Sequence, residues 1–382
     1  MQIPFHKSYI TEDEITAVTD TLRSGWITMG KKTREFENSF SEYLGVKNSV
    51  SFNSGTAALH LALKVLNIKE GDEVMLPAMT FAATSEVITY FNAKPVFIDV
   101  DKNTHLMDVN KIEEKITNKT RAIIPVHYAG QPCDMEEVLD IAKRKDLFIV
   151  DDAAHSLPSW YKKKIIGSIS HITCFSFYAT KTITAGEGGM AVTQNDDWAE
   201  RMRLLRLHGL SKDAWKRYSD RGNWEYDVVE PGYKYNTTDM NSALGIEQLK
   251  KVEDMWKKRE KIAAKYNDAF KINDIIIPYS VKNDRVSSWH LYPIKLMLEA
   301  LSIDRNHFID ELQQRGISTS VHFIPLYRFS CYRNVDNSID KFPGCEWVFD
   351  RIISLPIFPA MTDDEINYVI ENVIDIAGKN KR

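Results

Sequence analysis

Apolar residues follow two alternating rhythms over the first two-thirds of the chain. Short apolar runs at 49–53, 73–77, 95–99, 122–126, 147–150, 172–177 and 190–193 are bounded by polar or glycine-containing segments, which predicts buried strands. Between several of them, residues 56–65, 83–90, 109–116 and 135–145 carry apolar positions at helical spacing. Strands and helices that alternate in this way predict right-handed crossovers and a mainly parallel sheet covered on both faces. A ligand of such a sheet belongs at the carboxyl ends of its strands.

The rhythm then changes. Residues 239–270 form one long helical pattern, which Asp239 could cap. Beyond it, the strand-like WHLYPIKL, a helix near 305–315, the strand-like TSVHFIP and two short helices predict a smaller α+β unit. The first fifty residues hold a helix at 12–22 and the loop SGWITMGKK. The expected organisation is an N-terminal arm (1–12), a large domain (13–250) and a small C-terminal domain (251–382).

Composition narrows the function classes. Forty-nine Lys and Arg against 53 Asp and Glu give a net charge of −4, which is no electrostatic footprint for nucleic acid. The opening MQIPFHKSYITEDE has no apolar core of a secretory signal, and no apolar run reaches the roughly 20 residues of a membrane span. The four cysteines (Cys133, Cys174, Cys331, Cys345) are scattered, and the ten histidines form no HExxH-like cluster. A cytoplasmic protein without a metal centre is expected.

Three short stretches could carry chemistry. In SFYATKTITAGEGG, Lys181 sits between a strand-like run and a turn with Gly186, Gly188 and Gly189. Asp151 and Asp152 end the strand LFIVDD, and FNSGTAALHLAL puts Ser54, Gly55 and Thr56 where a strand meets a helix. Taken singly, each has an ordinary reading: a solvated lysine, a helix-capping aspartate, a common helix start. Together they supply what a phosphorylated pyridine aldehyde requires. Those needs are an amine to form a Schiff base, a carboxylate to keep the ring nitrogen protonated, and a helix N-terminus to hold the phosphate.

With those motifs in place, the chain resembles the DegT/DnrJ/EryC1/StrS family of sugar aminotransferases. The likeness extends over essentially the whole chain through SGWITMG, SGTAAL, PAMTFAAT, KPVFIDVD, TRAIIPVHYAGQPCD, VDDAAHS, SFYATKTITAGEGG, LHGL, GYKYNTTDMNSALGIEQL, WHLYPI, VHFIPLY and SLPIFPAMT. SGWITMG, IPVHYAG and GYKYNTTDMNSA are most similar to the members that form UDP-4-amino-4-deoxy-L-arabinose. The resemblance implies the α/β, type I (aspartate aminotransferase) fold and pyridoxal 5′-phosphate as cofactor. It implies Lys181 as the lysine that bonds the cofactor, Asp152 as partner of the ring nitrogen, and Phe81 stacked on the ring. His155 would lie against the ring or its 3′-oxygen, and Asp151 would support the site. Gly55, Thr56 and Ser176 would hold the phosphate, with Lys234 reaching it from a second subunit where many members have asparagine. Trp26, Thr28 and His322 would border the sugar site, whereas His208 and His290 read more readily as buried histidines bonded to backbone.

The implied enzyme is a cytoplasmic homodimer with shared active sites. It would pass the amine of L-glutamate to a nucleotide-linked keto-sugar, a UDP-4-keto sugar first, for surface polysaccharide or lipid A. Other readings stay open: a dTDP-linked 3- or 4-keto-6-deoxyhexose, a dehydratase, or a non-catalytic regulatory relative. Lysine at position 181, where the family's dehydratases carry histidine, favours amino transfer.

Overall fold

The computed structural model describes residues 1–211, 226–332, 335 and 341–382. Its strands are β1 (Asn48–Phe52), β2 (Glu73–Pro77), β3 (Lys94–Ile98), β4 (Thr120–Ile123), β5 (Phe148–Asp152), β6 (Trp160–Tyr161), β7 (Lys164–Ile165), β8 (Ile172–Ser176), β9 (Gly189–Thr193), β10 (Ile276–Ile277), β11 (Arg285–Val286), β12 (Tyr292–Leu296) and β13 (Ile352–Leu355). Its helices are α1 (Glu12–Arg23), α2 (Lys31–Leu44), α3 (Gly55–Val65), α4 (Ala82–Thr89), α5 (Met135–Lys145), α6 (Asp196–Leu205), α7 (Asp239–Lys250), α8 (Val252–Phe270), α9 (Arg305–Gln314), α10 (Pro343–Arg351) and α11 (Asp363–Lys379).

The seven predicted strands form one sheet in the order β1-β9-β8-β5-β4-β2-β3. The β8–β5–β4–β2–β3 pairs are parallel, and β9 runs antiparallel between β1 and β8. Every residue of β1, β2 and β9 is buried, as expected of strands covered on both faces. The carboxyl ends of β1, β8, β5, β4 and β2 all open on one edge, where the chain turns at Ser54, Ser176, Asp152, Val126 and Thr80.

Several elements differ from the sequence reading. The helix expected at 109–116 is two single 3₁₀ turns, Val109–Lys111 and Glu113–Lys115. Helix α2 follows the SGWITMG loop directly. Its stripe of Phe36, Phe40 and Leu44 is readable, but its N-terminal cap is tertiary. Asp239 accepts the N–H groups of Gly30 (2.7 Å), Lys32 (3.1 Å) and Thr33 (2.9 Å) from 206 to 209 residues away. The long pattern from Asp239 is two helices, broken where Lys251 leaves helical geometry (φ −106°, ψ 4°) and its ammonium turns to Thr11 and Glu14. TSVHFIP is no strand: Ser320 alone bridges to Ser354, and the Tyr128 hydroxyl holds the His322 carbonyl at 2.7 Å. The last helix, α11, is 17 residues long rather than short.

Two apolar clusters result. The larger surrounds the seven-stranded sheet and also takes Leu326, Tyr327, Phe342 and Val348 from the C-terminal part. The smaller joins α8, α9, α11, β12 and β13, and Ile3 from the N-terminal arm belongs to it.

Asp99 fastens the C-terminal part to the sheet. Just past β3, its buried carboxylate accepts the N–H of Gly344 (2.9 Å) and of Cys345 (2.8 Å) at the start of α10, and pairs with Lys111 at 2.9 Å. Burial would raise its pKa, but these partners outweigh burial and hold it below the ordinary value. Asp99→Ala strands a cation and two amide donors, so the expected loss at pH 7 is about 3 kcal/mol, read as a lower denaturant midpoint. A depressed carboxylate stabilises fully above its ordinary pKa of about 4 and loses that contribution as pH falls through the lowered native value. The difference between wild type and variant should therefore shrink in acid.

Candidate active site

The strand ends described above line a cavity of about 520 Å³. Ser54, Gly55 and Thr56 come from the β1–α3 junction, Thr80 and Phe81 follow β2, Asp152 ends β5 with Ala154 and His155 after it, and Ser176 ends β8 with Tyr178 and Lys181 after it. His290, His322 and Phe323 close it from the C-terminal part, and Phe5 and His6 from the arm. The cavity thus collects Lys181, Asp152, His155, Gly55, Thr56, Phe81, Ser176 and His322 from the sequence-predicted set.

Alternation along β5 separates its two aspartates. Asp151 is fully buried and accepts from Ser170 Oγ (2.8 Å) and Thr173 Oγ1 (3.1 Å). His127 Nδ1 already accepts the Cys133 N–H at 3.0 Å, so its other nitrogen, the one carrying the proton, faces Asp151 at 3.5 Å. Asp152 points to the cavity instead. There its carboxylate accepts from Thr84 Oγ1 (2.7 Å) and the Ala154 N–H (3.1 Å). Thr84 lies one helical turn beyond Phe81, so α4 brings both the ring and the hydroxyl that steadies Asp152.

Lys181 is half-buried on the cavity, its backbone N–H bonded to Tyr178 O at 2.9 Å. Enclosure pushes its amine down to about 8, against the opposing pull of the Asp152 carboxylate.

The β1–α3 turn is a cradle. Ser54 caps α3 through the Ala57 N–H at 3.1 Å, and the N–H groups of Gly55 and Thr56 in the first turn have no acceptor within the helix. A Cβ on Gly55 would stand 3.0 Å from Ser176 Cβ, and one on Gly189 would stand 2.2 Å from Ser54 O. Backbone and Ser176 hydroxyl therefore meet at one point. Phe81 keeps 62% of its surface exposed although its ring faces the cavity, an unusual state for a phenyl group.

Imidazoles line the opposite side. The rings of His155 and His290 lie 4.4 Å apart, and His155 stacks on Phe323 at 5.8 Å and 20°. Nδ1 of His155 and Nδ1 of His290 are buried with no partner. Burial, then the charge of Lys181 for His155 and the neighbouring His155 for His290, hold both rings well below the usual histidine range. His322 is pushed to about 4 by burial and by Lys181, and its Nδ1 meets Ser354 Oγ at 2.9 Å.

Three predicted residues lie elsewhere, and one changes role. Trp26 and Thr28 are exposed on the loop before α2, where Trp26 Nε1 donates to Met29 O (3.3 Å) and Thr28 O accepts the Asp239 N–H (3.2 Å). Neither lines this cavity, because capping of α2 by Asp239 fixes the loop away from it; Trp26 lines a separate cavity with Met29, Gly30 and Asp239. Lys234 is exposed outside the cavity, its carbonyl facing Asn53 Nδ2 at 3.4 Å. His290, read as a buried histidine bonded to backbone, instead lines the cavity; His208, read the same way, is exposed, and its 2.8 Å bond to Tyr233 O comes from its own backbone N–H and not from the ring. Nothing in the linear sequence marks His6, Thr84 or Phe323. Only the one-turn spacing from Phe81 to Thr84 offers a signal. Among the described residues no group of three or more His, Cys, Asp or Glu could hold a metal, and no helix is long and apolar enough to cross a membrane.

Comparison with known proteins agrees with this geometry. The profile of the DegT/DnrJ/EryC1/StrS aminotransferase family matches residues 8–374. The chain is 51% identical to the uncharacterised protein MJ1066 of Methanocaldococcus jannaschii, over 99% of this chain and 98% of that protein. It is 44% identical to the spore coat polysaccharide biosynthesis protein SpsC of Bacillus subtilis, over 98% and 97%. Among solved structures, the PLP form of the putative sugar aminotransferase Spr1654 from Streptococcus pneumoniae superposes with a TM-score of 0.93 at 38% identity, covering 99% of each chain.

Among the described residues two lysines, Lys181 and Lys295, are depressed to about 8, but Lys295 is 3% exposed and donates to the carbonyls of Lys102 (2.8 Å) and Asn103 (3.2 Å). Acetic anhydride labelling of the chain freed of small molecules, read by mass spectrometry, should modify Lys181 at pH 8 ahead of surface lysines of ordinary pKa about 10.4. Lys295 should stay protected. Equal labelling of Lys181 and the surface lysines would contradict the depressed amine.

Proposed function

The chain belongs to the DegT/DnrJ/EryC1/StrS aminotransferase family, and from that premise we propose that it transfers the amino group of L-glutamate to the carbonyl of a nucleotide-linked keto-sugar, with pyridoxal 5′-phosphate as cofactor. The observation that carries this reading is the convergence of the Lys181 amine, the Asp152 carboxylate and the open α3 N-terminus on one cavity.

The residues fit the cofactor. The cradle that a Cβ on Gly55 would fill, with the free N–H groups of Gly55 and Thr56 and the Ser176 hydroxyl, suits a phosphate dianion. The exposed ring of Phe81 offers a flat apolar surface, and the unpartnered Nδ1 of His155 offers a polar contact at the ring. Asp152, steadied by Thr84 and Ala154, would hold the proton on the pyridine nitrogen. When bound, pyridoxal 5′-phosphate supplies the electron sink that lets a proton leave the donor's Cα and the amino group change carriers.

Lys181 provides the base. With its pKa near 8, part of its population is free amine at neutral pH, and Nζ can take a proton from one carbon and return it to another. Neutral His155 and His290 keep further positive charge away from that amine. The apolar side chains of Phe5, Leu291, Phe323 and Ile357 exclude water, which strengthens each charge interaction inside.

Of the sugar classes, a UDP-4-keto sugar is favoured by the SGWITMG, IPVHYAG and GYKYNTTDMNSA motifs, and the likeness to SpsC, a spore coat polysaccharide biosynthesis protein, supports an amino-sugar product for a polysaccharide. A dTDP-linked keto-deoxyhexose is the runner-up. A regulatory relative would have no use for a depressed lysine facing a supported carboxylate. A second copy of the chain would bring Lys234, Trp26 and Thr28 to the cavity rim. That would explain why all three lie exposed outside it in one chain, near the exposed apolar Ile27, Val228 and Val229.

The test is optical. The purified protein should show a visible absorption band that L-glutamate bleaches, and Lys181→Ala should lower the glutamate half-reaction by about 1,000-fold or more. The base must be unprotonated, so the wild-type rate should rise with pH through about 8. A band that glutamate leaves untouched would overturn amino transfer.

A further inference from the structure

One wall of the cavity comes from the first nine residues. The Ile3 N–H donates to Gly316 O (2.8 Å) and the Ser318 N–H to Ile3 O (3.0 Å), while Phe5 stacks on His322 at 5.6 Å and 24°. Further along, Ser8 Oγ donates to Ala179 O (3.0 Å) and Gln248 Nε2 to Tyr9 O (2.7 Å). The arm is therefore a strap from the smaller core, across the cavity, to the turn that carries Lys181. Phe5 and His6 form its cavity face.

His6 has an unmet bond. Its Nε2 is buried without a partner. Burial first and the charge of Arg259 second push the ring down to about 4, with Lys181 adding to them against a hydrogen bond to the Ala179 backbone. Arg259 is a permanent neighbour of this kind: 1% exposed, its guanidinium donates to the carbonyls of Ile357 (2.8 Å), His290 (3.3 Å) and Trp289 (3.4 Å). A neutral imidazole has one N–H, and the Ala179 backbone takes it. Nε2 is left as a buried lone pair on a residue that lines the cavity, and a buried acceptor of this kind calls for a donor.

The two substrates differ in what they bring. An amino acid presents carboxylates, which only accept, and its amine is committed to the cofactor. A sugar presents hydroxyl donors around an apolar C–H face. We propose that His6 is a specificity residue for the amine-accepting sugar: its Nε2 accepts a hydrogen bond from a sugar hydroxyl, while Phe5 supplies the apolar surface beside it. The arm is then part of the acceptor site as well as a tie between the two cores. This rests on the amino-transfer reading given above.

The pyridoxal form of the holoenzyme has no amine to give, so a keto-sugar binds it without reacting, and calorimetry can read the affinity directly. The probes are UDP-4-keto-pentose and dTDP-4-keto-6-deoxyglucose. For whichever probe the wild type binds, His6→Phe should raise Kd about 10-fold, the worth of one neutral hydrogen bond, and His6→Gln, which keeps an acceptor oxygen, should recover most of it. The keto-sugar half-reaction should fall by more than the glutamate half-reaction in His6→Phe. An unchanged Kd in His6→Phe overturns the proposal, as does an equal loss in both half-reactions, which would mean that His6 acts through Lys181. A wild type that glutamate bleaches but that binds neither probe overturns the sugar-recognition role. A wild type that glutamate fails to bleach removes the amino-transfer reading itself, and the His6 assignment falls with it.

Discussion

A carboxylate under a sheet edge is tolerable only if its charge is answered, and Asp152 sets that demand for the whole cavity. β5 lies between β4 and β8 and holds the residue by backbone bonds: the Asp152 N–H to Pro125 O at 2.9 Å, and the His127 N–H to Asp152 O at 3.1 Å. Thr84 from α4 and the Ala154 N–H bond the carboxylate directly, and the Lys181 amine, beyond the end of β8, feels its charge at longer range. Three segments distant in sequence are thus placed relative to one carboxyl group. The same two-residue period that aims Asp152 at the cavity turns Asp151 into the interior, where Ser170 and Thr173 bond it. Two adjacent aspartates do different work because a strand has two faces.

The fold was legible where packing is governed by local pattern. All seven strands of the main sheet, helices α3, α4 and α5 and the strand-end positions of Asp152, Lys181 and Gly55 follow from apolar spacing and turn residues. What escaped depends on partners far away. Helix α2 takes its cap from Asp239 across more than 200 residues, so no local signal marks its start. VHFIP carries the alternation of a strand, yet Tyr128 and Ser354 draw it towards the cavity. His6 is one histidine in an arm without periodicity, and its position depends on Ile3 joining a core built from α8, α9 and α11.

Charge inside the cavity is arranged by burial more than by pairing. His6, His155, His290 and His322 all lie below the ordinary histidine range, and burial is the first cause for each. Four protonated imidazoles around Lys181 would cost far more than the interior can repay, and would drive the lysine pKa lower still. Held neutral, they contribute single donors and acceptors with fixed direction. The groups left to set the local charge are Lys181, Asp152 and Glu187 on the cavity and the fixed guanidinium of Arg259 behind the wall.

That economy of charge bears on how one cavity can serve two dissimilar substrates in turn. The proposed donor, with two carboxylates, and a sugar acceptor covered in hydroxyls cannot both be matched by charged side chains, since a cation placed for one leaves a costly unpaired group when the other is bound. Neutral rings and apolar surfaces such as Phe5 and Phe323 tolerate either occupant, and the base that both half-reactions use stays at Lys181. The arm and the VHFIP segment, neither of them a regular element, supply these tolerant walls. The parallel sheet supplies the rigid groups whose positions the chemistry cannot relax. Rigid strand ends for the reaction and irregular segments for recognition is the division of labour that the backbone itself imposes.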